Sequence, residues 1–191
     1  MGQAIEVRKA VTEVSVDMWG GFEKVVKKVW PNAQLVIDRF HVMQPLNQEL
    51  NARRKAVGIT QRGSKYLLLK NLENLSEQEF EKLKIILLSS RKLLIAYKYK
   101  EEFREIYETS ESVTEGKERM MDWLEEAAEL YGQVIQTISN HLIGICNYFM
   151  NRTTSGTMEG INNKIKLIKR QGYGFTNFKN FRLRLLASLS H

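Results

Sequence analysis

Only two stretches of this chain carry the β-branched, alternating character of a strand, VTEVSVD at 11–17 and QLVID at 34–38, and both end in aspartate. Between them GGFEKVVKKVW (20–30) places Phe22, Val25, Val26 and Val29 at helical spacing, and Pro31-Asn32 closes the helix. A strand, a helix and a strand in this order predict two parallel strands joined by a right-handed crossover. Asp17 and Asp38 then stand at the carboxyl ends of neighbouring strands, where open α/β sheets hold their ligands. Two strands make a poor sheet alone, so bare edges and an uncovered face are expected where further strands belong, and self-association could follow there.

Beyond His41 the patterning is helical. One helix is expected from near Phe40 to Val57, with Pro45 admissible only in a first turn, where its missing amide has no intrahelical partner. Two capping boxes, SEQE at 76–79 and SVTE at 112–115, open further helices. Val134, Ile135, Ile138, Leu142, Ile145 and Phe149 recur at three-and-four spacing, which predicts one strongly buried helix. Near the end Met158, Ile161, Ile165 and Ile168 share one helical stripe, with Glu159 on another face beside Asn162, Asn163 and Lys166. GYG at 172–174 breaks that helix, and FTNFKNFRLRLL resumes it with Phe178, Phe181 and Leu185 expected inward and Lys179, Arg182 and Arg184 outward. The fold class expected is mainly α with a small two-stranded parallel β element, organised as 1–44, a helical insertion at 45–151 and a basic helical end at 152–191.

Charge is distributed unevenly. Eight of the 29 basic residues but only one of the 22 acidic ones, Glu159, lie from Arg152 onward, while the first 151 residues are balanced. A basic end on a neutral body predicts a polyanionic partner, most simply DNA, with Lys164, Lys166, Lys169, Arg170, Lys179, Arg182 and Arg184 as candidate contacts. Tyr173 and Phe175 lie among these charges and are able to stack on bases, but core packing is the stronger expectation for both. The single cysteine, Cys146, has apolar neighbours and reads as a core thiol; it excludes an intrachain disulfide and fits a reducing cytoplasm. His141 reads as a satisfied or partly exposed histidine on an apolar helix. No run of about 18 apolar residues spans a membrane. Neither a G-x-x-x-x-G-K-[ST] loop nor a Cys-x-x-Cys pair occurs, against nucleotide hydrolysis and zinc binding.

The stretches VDMWGGF, PNAQLVIDRFHV, SGTMEGINNKIKLIKRQGYGF and NFRLRL together resemble the DDE-type transposases of bacterial insertion sequences, in the ISL-three-like branch. The resemblance implies a ribonuclease H-like sheet with an all-helical insertion, in which Asp17 is the second catalytic aspartate and Glu159 the catalytic glutamate. It makes these two carboxylates ligands of magnesium or manganese, and it matches Asp38 and His41 to an accessory Asp-x-x-His motif. The first aspartate of such a site belongs on a strand upstream of Asp17, yet the sixteen residues before Asp17 contain no aspartate. The chain is therefore expected to be the carboxyl-terminal part of a truncated ribonuclease H-like α/β domain, to bind metal weakly if at all, and to be inactive alone. The alternative is a non-catalytic helical module that binds DNA or a protein partner through its basic carboxyl-terminal segment.

Overall fold

The computed structural model describes residues 5–189, with the side chains of residues 157–159 outside the described set. A short helix, α1 (Ile5–Lys9), leads into strand β1 (Glu13–Val16), helix α2 (Gly21–Val29) and strand β2 (Gln34–Ile37). The strands pair in parallel, Val14 opposite Leu35 and Val16 opposite Ile37. The Asp38 amide donates to the Val16 carbonyl at 2.8 Å, which carries the ladder to the foot of both aspartates. Every regular element after β2 is helical among the described residues, so the fold is mainly α with one small parallel sheet.

Asp38 caps helix α3 (Arg39–Ala56), its Oδ1 accepting the Phe40 amide at 2.8 Å. The sequence admits proline only in a first turn, but Pro45 is the seventh residue of α3 and the helix runs through it. Position 45 has no amide to give to the His41 carbonyl, so one ladder bond is forgone. Val42, Leu46 and Leu50 on the inner stripe are completely buried, and this packing outweighs the lost bond. Helices α4 (Ser64–Leu69), α5 (Glu77–Leu88), α6 (Arg91–Thr109) and α7 (Val113–Glu126) follow. The box at 76–79 forms as expected. At 112–115 only half of it does: Ser112 Oγ accepts the Glu115 amide at 3.2 Å, while the Glu115 carboxylate takes the Glu111 amide at 2.9 Å. Phe103, Tyr107 and Trp123 fill the space between α6 and α7, with the Phe103 and Trp123 rings 4.6 Å apart.

The single helix expected over 134–149 is three: α8 (Ala128–Asn140), α9 (Leu142–Cys146) and α10 (Tyr148–Asn151). The breaks place α9 against β2. A Cβ on Gly144 would lie 2.9 Å from both Ile37 Cγ1 and Leu35 Cδ2, so only glycine allows this approach. Asn147, at the second break, donates its side-chain amide to the Leu35 carbonyl at 2.8 Å. The face expected to be bare is thus covered at β2 by the chain's own α9, with Val36 and Ile37 both buried. The four residues of β1 are all half-buried, and its outer edge pairs with no strand among the described residues.

The chain divides into two compact units, Met1–Thr153 and Thr154–His191. The second holds helices α11 (Gly156–Gln171) and α12 (Phe178–Leu189). Ile168 is buried and Ile161 and Ile165 are half-buried, as the stripe predicts. Phe178 is not inward as expected but 74% exposed, because Asn177 caps α12 through the Lys179 amide at 2.9 Å and this start turns Phe178 outward. Tyr173 also departs from the expected core packing and is fully exposed, with φ of 50°. The Tyr173 amide bonds the Arg170 carbonyl at 3.0 Å and the Gly174 amide bonds the Lys169 carbonyl at 3.1 Å, the pair of bonds that closes a helix on a left-handed residue. That conformation costs a non-glycine residue about 1–2 kcal/mol. Among the described residues no helix is long and apolar enough to cross a membrane.

Candidate active site

Asp17 follows β1 directly, and three further residues pass before α2 begins. Its Oδ1 accepts the Trp19 amide at 2.8 Å, a local turn that fixes the carboxylate at the carboxyl end of the strand. Its other oxygen accepts no bond among the described residues. Asp17 is half-buried and borders two depressions. One, of about 290 Å³, is shared with Met18, His41, Gln44, Pro45 and Gln48. The other, of about 450 Å³, runs between α2 and α9 and is lined by Trp19, Phe22, Lys27 and His141 among others.

Asp38 behaves differently although its sequence context is similar. It is 3% exposed, with a carboxylate oxygen committed to the start of α3. His41 is half-buried, meets the Phe40 ring edge-on at 5.4 Å, and lies at the same opening as Asp17. The structure therefore brings Asp17 and His41 together and turns Asp38 inward. Glu159 falls in α11, but its side chain lies outside the described residues. His141 is half-buried with Nδ1 2.9 Å from the Thr137 carbonyl, the satisfied histidine that the sequence predicts.

In the second unit Lys164, Lys166, Lys169, Arg170, Lys179, Arg182 and Arg184 are all exposed, and none of them forms an ion pair among the described residues. Lys164 Nζ donates to the Ser188 carbonyl, linking α11 to α12. Arg152, counted with these charges in the sequence, is used otherwise. It donates to the Tyr107 and Ser110 carbonyls, each at 2.8 Å, and so closes the carboxyl end of α6.

Among the described residues no three His, Cys, Asp or Glu side chains converge as a metal-holding group. Asp17 fits magnesium or manganese as a single ligand, since it offers a half-exposed carboxylate with one oxygen unengaged, the hard donor these ions select. Asp38 is buried and engaged in capping, which does not suit a principal ligand. Trp19 escaped sequence reasoning. It is 64% exposed beside Asp17, edge-on to Phe22 at 5.1 Å, with its ring over Gly21. The WGGF stretch is its only signal, because a glycine at position 21 leaves room for the indole.

The transposase family DDE_Tnp_ISL3 matches residues 2–185. The chain is similar to the transposase for insertion sequence element IS1001 of Bordetella parapertussis, 26% identical over 193 residues that cover 93% of this chain and 47% of the relative. It is also similar to the transposase for insertion sequence element IS1557 of Mycobacterium tuberculosis (strain CDC 1551 / Oshkosh), 26% identical over 200 residues covering 86% and 45%. A shorter stretch of 58 residues is 38% identical to an ATP-dependent protease of Lactococcus lactis subsp. lactis, covering 30% of this chain and 19% of that one. The chain spans about half the length of the curated transposases it matches. No solved structure matches it. Since the family match runs over nearly the whole chain, the protein belongs to the ISL3 family of DDE transposases.

Proposed function

We propose that this chain is the carboxyl-terminal part of a ribonuclease H-like transposase catalytic domain, with a helical insertion at 45–151 and a DNA-contacting basic end at 152–191. Asp17 and Glu159 hold magnesium or manganese, with Asp38 and His41 in support. The observation that carries this reading is Asp17 at the end of a parallel strand, anchored through one oxygen by the Trp19 amide and lining the depression it shares with His41. Metal ions bound there would stabilise the attacking and leaving oxygens of an in-line phosphodiester displacement. The chain's own residues prepare for this. Trp19 fixes the carboxylate rotamer, His41 borders the space beside it, and Asp38 holds α3, and with it His41, at the end of β2.

These 191 residues hold no counterpart of the first aspartate, so two carboxylates remain where three normally saturate a pair of hard cations. The chain alone is accordingly proposed to bind metal weakly and to cut no DNA. The free edge of β1 is the place where a further strand, or a second copy of the chain, would pair. The test is supercoiled plasmid incubated with the purified chain and magnesium or manganese, alongside manganese titration followed by electron paramagnetic resonance. Expected are no nicking and weak manganese binding, read as loss of the free-ion signal, that Asp17→Asn and Glu159→Gln each reduce. A metal-dependent nick lost in both variants would refute the inactivity; manganese binding indifferent to both substitutions would refute the site.

The non-catalytic reading draws on the seven exposed cations of the second unit, and DNA binding is common to both readings. Contact through six or more phosphates would lower duplex affinity about a thousandfold or more between 50 and 200 mM salt. A chain that binds no duplex at low salt would exclude both forms of the DNA-binding proposal.

A further inference from the structure

The turn between α11 and α12 puts a tyrosine where helices are usually closed by glycine. Tyr173 occupies the left-handed position, with φ of 50°, and a glycine stands on either side of it. Both neighbouring glycines have local work. A Cβ on Gly172 would lie 2.7 Å from the Phe175 ring, so its absence lets Phe175 fold back to meet Phe181 with 4.9 Å between ring centres. Gly174 has φ of 92°. Tyr173 does no such work: it is 102% exposed and its ring takes part in no aromatic contact among the described residues. The backbone is thus strained in favour of a fully exposed side chain, and glycine would close the helix more cheaply. The surroundings are cationic, with Lys169 and Arg170 in the last turn of α11 and Lys179 in the first turn of α12, all exposed.

An aromatic face standing clear of the protein among cations fits a ligand that offers a planar ring joined to phosphate. We propose that Tyr173 is a stacking platform for an unpaired base of single-stranded DNA, with Lys169, Arg170 and Lys179 holding the phosphates on either side. The proposal rests on the DNA-binding reading above and adds to it a preference for unpaired bases at the tip of this helical hairpin. Duplex DNA keeps its bases stacked on one another and offers the ring nothing, so Tyr173 is indifferent to it. Stacking on one base contributes about tenfold or more in affinity.

The full chain is titrated by fluorescence anisotropy against labelled oligothymidylate and against a duplex of equal length, for the native protein and for Tyr173→Gly, Tyr173→Ala and Tyr173→Phe. Tyr173→Gly and Tyr173→Ala are expected to weaken single-strand binding about tenfold and to leave duplex binding within about twofold; Tyr173→Phe keeps both. Tyr173→Gly also raises the urea midpoint, because it removes the left-handed strain, and a residue that loses binding while gaining stability is serving a ligand rather than the fold. As a direct readout, a strand carrying 5-iodouracil is irradiated and the crosslinked residue is identified by peptide mass spectrometry, with Tyr173 the expected site. Equal loss of single-strand and duplex affinity, no loss in either, or a crosslink confined to other residues would each overturn the platform while duplex binding still stands. Absence of binding to both DNA forms would remove the DNA reading itself.

Discussion

Replacing Gly144 by alanine tests whether α9 is held against the strand that carries Asp38. The added methyl would stand 2.9 Å from Ile37 Cγ1 and from Leu35 Cδ2, whereas carbon atoms pack at about 3.5–4.0 Å. Something must move by about half an ångström or more at two points. Ile37 is 2% exposed and has no room to turn, and α9 cannot retreat easily because Ile145 and Cys146 on its other side are buried in the core. Overpacking of this kind costs about 1–3 kcal/mol. From the middle of that range, about 2 kcal/mol, alanine returns up to about 1 kcal/mol of helix propensity, which leaves a net loss of about 1–2 kcal/mol. In a chain of this size that lowers the thermal midpoint by about 2–8 °C. Gly160→Ala serves as the opposite case, since its Cβ meets nothing within 4 Å, and it should stabilise α11 by up to about 1 kcal/mol. Both variants are compared in urea melts followed by far-ultraviolet circular dichroism. Adding Leu35→Ala to Gly144→Ala should recover part of the loss, so that the pair costs less than the sum of the single changes. A Gly144→Ala midpoint equal to or above the native one would refute the close contact and, with it, the covering of β2 by α9.

Asp38→Ala should cost about 1–2 kcal/mol through loss of the α3 cap, while Asp38→Asn, whose side-chain oxygen can still take the Phe40 amide, should cost distinctly less; urea midpoints decide, and equal values for the two variants would show that capping is not its structural role. Burial pushes the Cys146 thiol from its ordinary value of 9.0 up to about 11. The fold therefore favours the protonated thiol, and the stability this contributes is complete below pH 9 and is lost as pH rises toward about 11. At pH 8 Cys146 should react with a disulfide reagent far more slowly in the native chain than in urea, and rapid native labelling would contradict its burial.

How much of this fold was legible depended on whether a pattern's meaning was local. The β-α-β unit was readable because Val14, Val16, Leu35 and Ile37 alternate within their own segments, and parallel pairing follows from the length of the connection between them. The helix over 134–149 was not, because its breaks answer to a distant strand: Gly144 and Asn147 look unremarkable until Leu35 lies beside them. Pro45 misled for a similar reason. The rule that confines proline to a first turn weighs one backbone bond, but the inner stripe of α3 buries Val42, Leu46 and Leu50 completely. Phe178 was assigned inward by periodicity, which cannot register that Asn177 starts α12 in a new phase, and Tyr173 by the general preference of aromatic rings for the core, which cannot register that GYG ends α11 by a left-handed closure. Of the candidate site, the strand pattern set Asp17 beside Asp38, whereas it is His41 that lines an opening with Asp17, and no local pattern announces the exposed indole of Trp19.

Asp17 and Asp38 show how one residue type in one topological position acquires two chemistries. Each ends a parallel strand, each is followed by a helix, and each accepts the backbone amide two residues on at 2.8 Å. The difference lies in the distance to the helix. After Asp38 the helix begins at once, so that the accepted amide belongs to the first turn of α3 and the carboxylate is drawn under it, 3% exposed. After Asp17 the chain runs through Met18, Trp19 and Gly20 before α2 begins, so the amide it accepts belongs to a turn and the carboxylate stays half-exposed beside a depression. A carboxylate absorbed into a helix cap stabilises the fold; one held by a turn has an oxygen left for a ligand. Removing residues 18–20, so that Gly21 follows Asp17 directly as Arg39 follows Asp38, should therefore convert Asp17 into a cap of α2 and abolish its contribution to manganese binding while the chain remains folded, and retention of that contribution would show that loop length is not what separates the two aspartates.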